Sequence, residues 1–387
     1  MPVMTGLSGN EIFCLKLKGL APGDLVIGNS VFSMGFLGGI GAGFRGMLGG
    51  EVTQLTSIIH EGRMEAYKRM VSEASGRSAI GITGVTNELR SFHGQTEFLS
   101  VASSVHREGG AGSNESIQFT TSANGQELYC QLDAGFEPVR FVFGNIAYSV
   151  GVAGGVLGGL KSLARGEIKQ FSDVFNATRH HCLERITNEA RAVGANAVIG
   201  IETRTMTFQG AHEMLMLGTA SRHPALATVP SSPAGNVGTL PYQTGAPNAP
   251  GVAVGPVVSS DLTNEEMWNL VHMGYLPLKL VLGTAVYSLG VMGGIMAMFK
   301  GLSRGEIPEL TSLIYDAREH AIGLIRDEAA AIGADDVVGI KTHIHEHGPL
   351  LEFMAIGTAV KRFPGVTTKN PTLPSQAIIK DKDTWVS

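Results

Sequence analysis

The stretch PVRFVFGNIAYSVGVAGGVLGGLKSLARGE, residues 138–167, occurs again as PLKLVLGTAVYSLGVMGGIMAMFKGLSRGE at 277–306. A more diverged form, PGDLVIGNSVFSMGFLGGIGAGFRGMLGGE, fills 22–51. The three are related by offsets of 116 and 139 residues, with no gap inside the stretch. Working outward at the same offsets, the match continues in both directions. Upstream, Glu11, Glu127 and Glu266 coincide. Downstream come Arg63, Arg179 and Arg318, then Glu73, Glu189 and Glu328. Gly84, Gly200 and Gly339 follow, and last Glu97, Glu213 and Glu352. Self-similarity at fixed offsets is the signature of tandem copies of one domain. The copies are placed at 11–107, 127–223 and 266–362.

Each copy reads as α+β. A short helix opens near Glu11, Glu127 or Glu266, and Thr263 to Glu266 has the S/T-x-x-E capping-box pattern. Gly19, Gly135 or Gly274 stops it, as a glycine just past a helix end does. A strand is expected after the recurring proline, at Val139–Phe143 and Leu278–Leu282. A long helix is expected after Ser57, Asp173 or Ser312, which are favoured N-cap types. Its apolar positions in the second copy, Phe175, Cys182, Ile186, Ala190 and Val193, have near-helical spacing. Two closing strands are expected at Ala197 to Thr203 and Glu213 to Ala220. The economical arrangement is a small antiparallel sheet with one long helix on its face.

Between the copies, 108–126 is a short Gly/Ser/Asn-rich link, and 224–265 carries seven prolines among Ala, Gly and Ser. The second reads as a flexible or semi-extended linker without a core of its own, and 363–387 as a polar tail. Hydrophobic residues are 43% of the chain, enough for a core in each copy, while charged residues are only 16%. A net charge of -5 without a basic stripe argues against nucleic acid as a partner. Cys14, Cys130 and Cys182 are odd in number and widely spaced, so no disulfide framework is expected and the reducing cytoplasm is the expected compartment. No secretory signal is read at the N-terminus.

Three segments carry a family resemblance: 144–151 (GNIAYSVG), 333–340 (GADDVVGI) and 354–360 (MAIGTAV). They resemble the YbjQ family, whose label assigns it heavy-metal binding. The resemblance covers all three copies and leaves out the linkers and the tail. The first copy departs from the pattern, with Ala102, Ser103 and Ser104 where the others read Gly-Thr-Ala. The resemblance implies a dodecin-like β-α-β-β unit that assembles into rings, pentameric in the family. A homo-oligomer is therefore expected. No catalytic residue is carried over.

His343, His345 and His347 alternate along an expected strand, which puts three imidazoles on one face. Imidazole suits zinc, copper or nickel, so these three are the candidate metal ligands. Their counterparts in the second copy are Arg204, Met206 and Phe208, so the fold does not require them. The recurring Arg and Glu positions are expected to form salt bridges within or between copies. No His, Cys or Lys recurs beside them, which argues against a triplicated active site and against an enzyme. The runs Leu25–Phe44, Phe141–Leu160 and Leu280–Phe299 hold no charge over twenty residues each, long enough to span a bilayer. Their glycine pairs disfavour a helix, and burial against a neighbouring subunit is the preferred reading. The expected function is a non-enzymatic, ring-forming scaffold. Metal binding at His343–His347 and membrane association are the alternatives.

Overall fold

The computed structural model describes residues 2–33, 50–93, 95–109, 116–149, 166–208, 211–227, 256–288, 308–347 and 350–374. The glycine-rich halves of the three apolar runs, the pair Gly305–Glu306, residues 228–255 of the Pro-rich linker and residues 375–387 of the tail lie outside them. Three α+β units follow one another. The opening helices are α1 (Gly9–Lys16), α3 (Gly125–Asp133) and α5 (Asn264–His272). Each starts on a capping box: Ser8 with Glu11, Asn124 with Glu127, Thr263 with Glu266. The long helices are α2 (Thr53–Gly76), α4 (Lys169–Ala192) and α6 (Pro308–Ala331), 24 residues each.

The sheet of the first copy is built from β1 (Leu20–Ser33), β3 (Gly81–Phe92) and β4 (Gln95–Arg107), with β4 in the middle and both pairings antiparallel. The second copy repeats this with β6 (Glu137–Ser149), β8 (Ala197–Phe208) and β9 (Ala211–Arg222). The third does so with β11 (Tyr275–Ser288), β12 (Asp336–His347) and β13 (Leu350–Arg362). Each first strand begins before its proline, not after it. The register shifts at the proline, between Pro22 and Leu25, Pro138 and Arg140, Pro277 and Lys279. A bulge there removes the need for the N–H that proline lacks.

Two recurring glycines have separate physical reasons. Gly84, Gly200 and Gly339 have φ of 68°, 62° and 66° and sit at a second register shift in β3, β8 and β12. A side chain is strained in that left-handed region. Gly28, Gly144 and Gly283 lie where the long helix crosses the sheet. A Cβ on Gly28 would stand 2.1 Å from the Ala66 carbonyl oxygen, and one on Gly144 2.6 Å from that of Cys182. The absent side chain sets how closely helix and sheet approach.

Short strands stitch the units together. β2 (Gly50–Glu51) of the first copy pairs with β6 of the second, and β7 (Gly166–Glu167) of the second with β11 of the third. In the other direction, β5 (Phe119–Thr120), ahead of the second copy, adds in parallel to β3. β10 (Val258–Ser259), ahead of the third, adds to β8. Within 224–265, Val257 to Leu262 are buried, and Val258 and Ser259 extend the sheet of the second copy. Within 363–387, Phe363, Val366 and Leu373 pack on the core around α3 and α5. Among the described residues no helix is long and apolar enough to cross a membrane.

Candidate functional site

The long helices start about one turn earlier than Ser57, Asp173 and Ser312, at Thr53, Lys169 and Pro308. The reason lies in the neighbouring copy. Val52, the N-cap of α2, makes no side-chain cap; instead its N–H donates to Ala147 O at 2.7 Å. Thr56 Oγ1 accepts from Ala147 N at 2.9 Å. In α4, Ile168 N donates to Val286 O at 2.8 Å and Ser172 Oγ accepts from Val286 N at 2.9 Å. The start of each of these two helices is thus held by the first strand of the next copy.

The same helices are covered on two sides. Phe171, Phe175 and Ile186 of α4 share a core with Leu280, Leu282 and Val286 of β11. Tyr67 and Met70 of α2 share one with Phe141 and Phe143 of β6. Both helices lie between their own sheet and the sheet of the following copy, so apolar burial joins the copies on both sides of each helix.

An arginine crosses each of these contacts. Arg63, buried on α2, donates from Nε to Glu213 Oε1 at 3.2 Å and from Nη2 to Glu213 Oε2 at 2.8 Å. Its Nη1 donates to Asn87 Oδ1 of its own copy at 2.7 Å. Arg179, buried on α4, repeats the fork: Nε to Glu352 Oε1 at 3.1 Å and Nη2 to Glu352 Oε2 at 2.9 Å. Its Nη2 also donates to the Tyr148 hydroxyl at 2.7 Å, and the guanidinium sits 4.4 Å from the Tyr148 ring centroid. Two parallel bonds in a planar fork fix orientation as well as adding energy. Burial pushes the Glu352 carboxyl up, but the Arg179 charge and the His347 bond outweigh it and hold it at about 2. Burial pushes the Tyr148 hydroxyl up to about 12. The expected inter-copy salt bridges are these two pairs.

The third recurring carboxylate holds strand to helix. Glu73 Oε2 accepts from Ile27 N at 2.7 Å and Glu328 Oε2 from Leu282 N at 3.1 Å. The opening helices also meet: Asn10 Nδ2 donates to Gln126 Oε1, and Gln126 Nε2 donates to Glu265 Oε1 at 3.3 Å. These three residues occupy one equivalent position in the three copies.

The histidine run sits at the joint between the second and third copies. His343, His345 and His347 line one side of β12, with successive ring centroids 6.4 Å apart. His343 is exposed and His347 buried. His347 Nε2 lies 2.8 Å from Glu352 Oε2, and its ring meets that of His212 edge-on at 4.7 Å. His347 Nδ1 and His345 Nε2 are buried without a hydrogen-bond partner among the described residues. Among those residues no group of three or more His, Cys, Asp or Glu is disposed to hold a metal ion. Burial lowers His212 to about 4, helped by the nearby His347. His212 is not marked by recurrence, since Thr96 and Leu351 stand at its equivalent positions, whereas Tyr148 recurs as an aromatic, with Phe32 and Tyr287 as counterparts. Cys182 is buried beneath this joint, its Sγ donating to Gly144 O at 3.3 Å, and burial pushes its thiol up to about 12. Such a thiol is inert.

The chain is thus a tandem α+β protein whose domains share faces through buried ion pairs. It belongs to the YbjQ family: the family profile, described as "Putative heavy-metal-binding", matches residues 21–111, 136–223 and 275–362. The opening helices lie outside the matched segments. A Mycobacterium tuberculosis protein named as an encapsulin nanocompartment protein is 28% identical over 261 residues, covering 66% of this chain and 90% of that one. A UPF0145 protein of Archaeoglobus fulgidus is 38% identical over 87 residues, 22% of this chain and 81% of its own. Another, from Clostridium novyi, is 39% identical over 85 residues, 22% of this chain and 82% of its own.

Proposed function

We propose that the protein is a non-enzymatic building unit of a self-assembling scaffold in the cytoplasm, its domains following one another around a ring. The observation that carries this is the joint: two successive buried Arg–Glu forks, each on a helix shared between two sheets. A domain that needs its neighbour's sheet to cover its long helix is built for serial contact. The M. tuberculosis relative, through its encapsulin nanocompartment name, supports the reading by likeness. Light scattering on the size-separated protein is expected to give a mass of several chains at micromolar concentration. A stable monomer at that concentration would remove the proposal.

A second reading is favoured by the two orphaned ring nitrogens of His345 and His347. Here a divalent transition metal (zinc, copper or nickel) binds at His343, His345 and His347. Calorimetric titration with each metal, beside the triple His→Ala variant, decides it. Equal affinity in both proteins removes the site.

A further inference from the structure

We infer that the joint seen twice within the chain is made a third time between chains, the outer face of α6 in one copy of the protein docking on the outer face of β1 in a second copy. This rests on the self-assembly reading above and specifies its contact.

The argument compares equivalent positions. Arg63 and Arg179 are fully buried, whereas Arg318, their counterpart on α6, is exposed and has no ion pair among the described residues. Ile340 on β12 is 46% exposed, while its counterparts Ile201 and Val85 are 3% and 2% exposed. That is the α6 end. At the β1 end, Ile27 is 48% exposed and its counterparts Phe143 and Leu282 are each 1% exposed. Glu213 and Glu352 are buried acceptors for an arginine; Glu97, at the same position, is half-buried and among the described residues holds only the Asn29 amide, at 3.2 Å. Among the described residues, then, one end presents a cation with no ion pair beside apolar surface, and the other an anion without a cationic partner beside apolar surface. Each is the half of a joint whose complete form is present elsewhere in the same molecule.

The smaller contacts extend in the same way. β5 and β10 add to the edges of β3 and β8 at Gly81–Ile82 and Ala197–Val198. The corresponding edge of the third copy is Asp336–Val337, and the corresponding lead-in is Val3–Met4, exposed at 51% and 71%. Met4 O already accepts the N–H of Leu25, at 2.6 Å, as Thr120 Oγ1 accepts that of Phe141 and Ser259 Oγ that of Leu280. In the axial row, Asn10 and Gln126 each pass a hydrogen bond forward, and Glu265 is left as an acceptor for the Asn10 of the next chain. The contact is heterologous, joining unlike faces, so it closes into a ring or continues as a helix.

Charge reversal on the full chain tests this. Arg318→Glu and Glu97→Arg each set like charges against one another across the inter-chain joint and touch neither joint inside the chain. Each variant alone is expected to run as a monomer by light scattering, with the circular dichroism and melting profile of a folded chain. Mixed one to one, they are expected to assemble again. The carboxylate introduced at position 318 of one variant then meets the guanidinium introduced at position 97 of the other, and the unaltered Arg318 of the second meets the unaltered Glu97 of the first. Single variants that assemble like the parent protein would overturn the inference while leaving self-assembly standing. Failure of the mixture to reassemble would overturn the assigned pairing. A monomeric parent protein would instead remove the self-assembly reading itself.

Discussion

At the scale of the residue, the energetics of the joint turn on leaving no charge alone. A buried ion pair contributes little net stability against an apolar pair, yet removing one partner strands the other in a low dielectric. Glu352→Ala is expected to lower stability by about 3–5 kcal/mol in urea unfolding, whereas Arg179→Met with Glu352→Leu should cost much less. Titration follows from the same burial. His212 is held at about 4 in the fold and has an ordinary value near 6.5 when unfolded. The unfolded chain binds more protons between those values, so this stability is complete above pH 6.5 and is lost as pH falls through 4. Burial also lowers His345, with the same sign, and Glu352 adds a second loss as pH falls through about 2. At the first joint the terms oppose: burial lowers His60 to about 4, while burial raises Glu189, 3.7 Å away, to about 7. Across the second joint His180 opposes part of this: burial lowers it, but its bonds to Glu328 and the Asn176 carbonyl outweigh burial and raise it, so its contribution is present at low pH. With His212, His345 and Glu352 all losing stability there, acid is still expected to loosen the joint of the second and third copies first. Amide exchange at pH 5 is expected to accelerate in α4 more than in α2, and His212→Gln should narrow the difference.

At the scale of the element, helix and sheet are locked by a missing side chain. Gly144→Ala places a methyl group 2.6 Å from a helix carbonyl oxygen, and the melting temperature should fall by the equivalent of about 1–3 kcal/mol. That glycine was legible in the sequence, because its need recurs in all three copies. So were the opening helices, whose capping boxes are local. The starts of the long helices were not. Ser57, Asp173 and Ser312 are good caps, but the true starts of α2 and α4 are held by backbone bonds to Ala147 and Val286 of the following copy. The partners of Arg63 and Arg179 were hidden for the same reason. They lie 150 and 173 residues away along the chain, and recurrence shows that arginine and glutamate matter without showing which copies they join. The histidines were legible as one face of a strand. Their contact with His212 was not, since it depends on how two sheets meet across α4.

At the scale of the whole molecule, α2 and α4 are shared between sheets, while among the described residues α6 packs on its own sheet alone. Amide exchange on dilute, unassembled chains should leave α6 less protected than α4, and assembly should bring the two together. A joint running from the third copy of one chain to the first copy of the next closes only on whole chains. Particle images are expected to show a number of domains divisible by three, or a helix without closure.

The unlike faces of the joint also give the assembly a polarity, as in a filament with distinct plus and minus ends. A chain disabled at Arg318 alone can still be added at one terminus and then accepts no successor. Small amounts of such a chain stopper shorten every assembly they enter, and the length distribution reports the direction of growth.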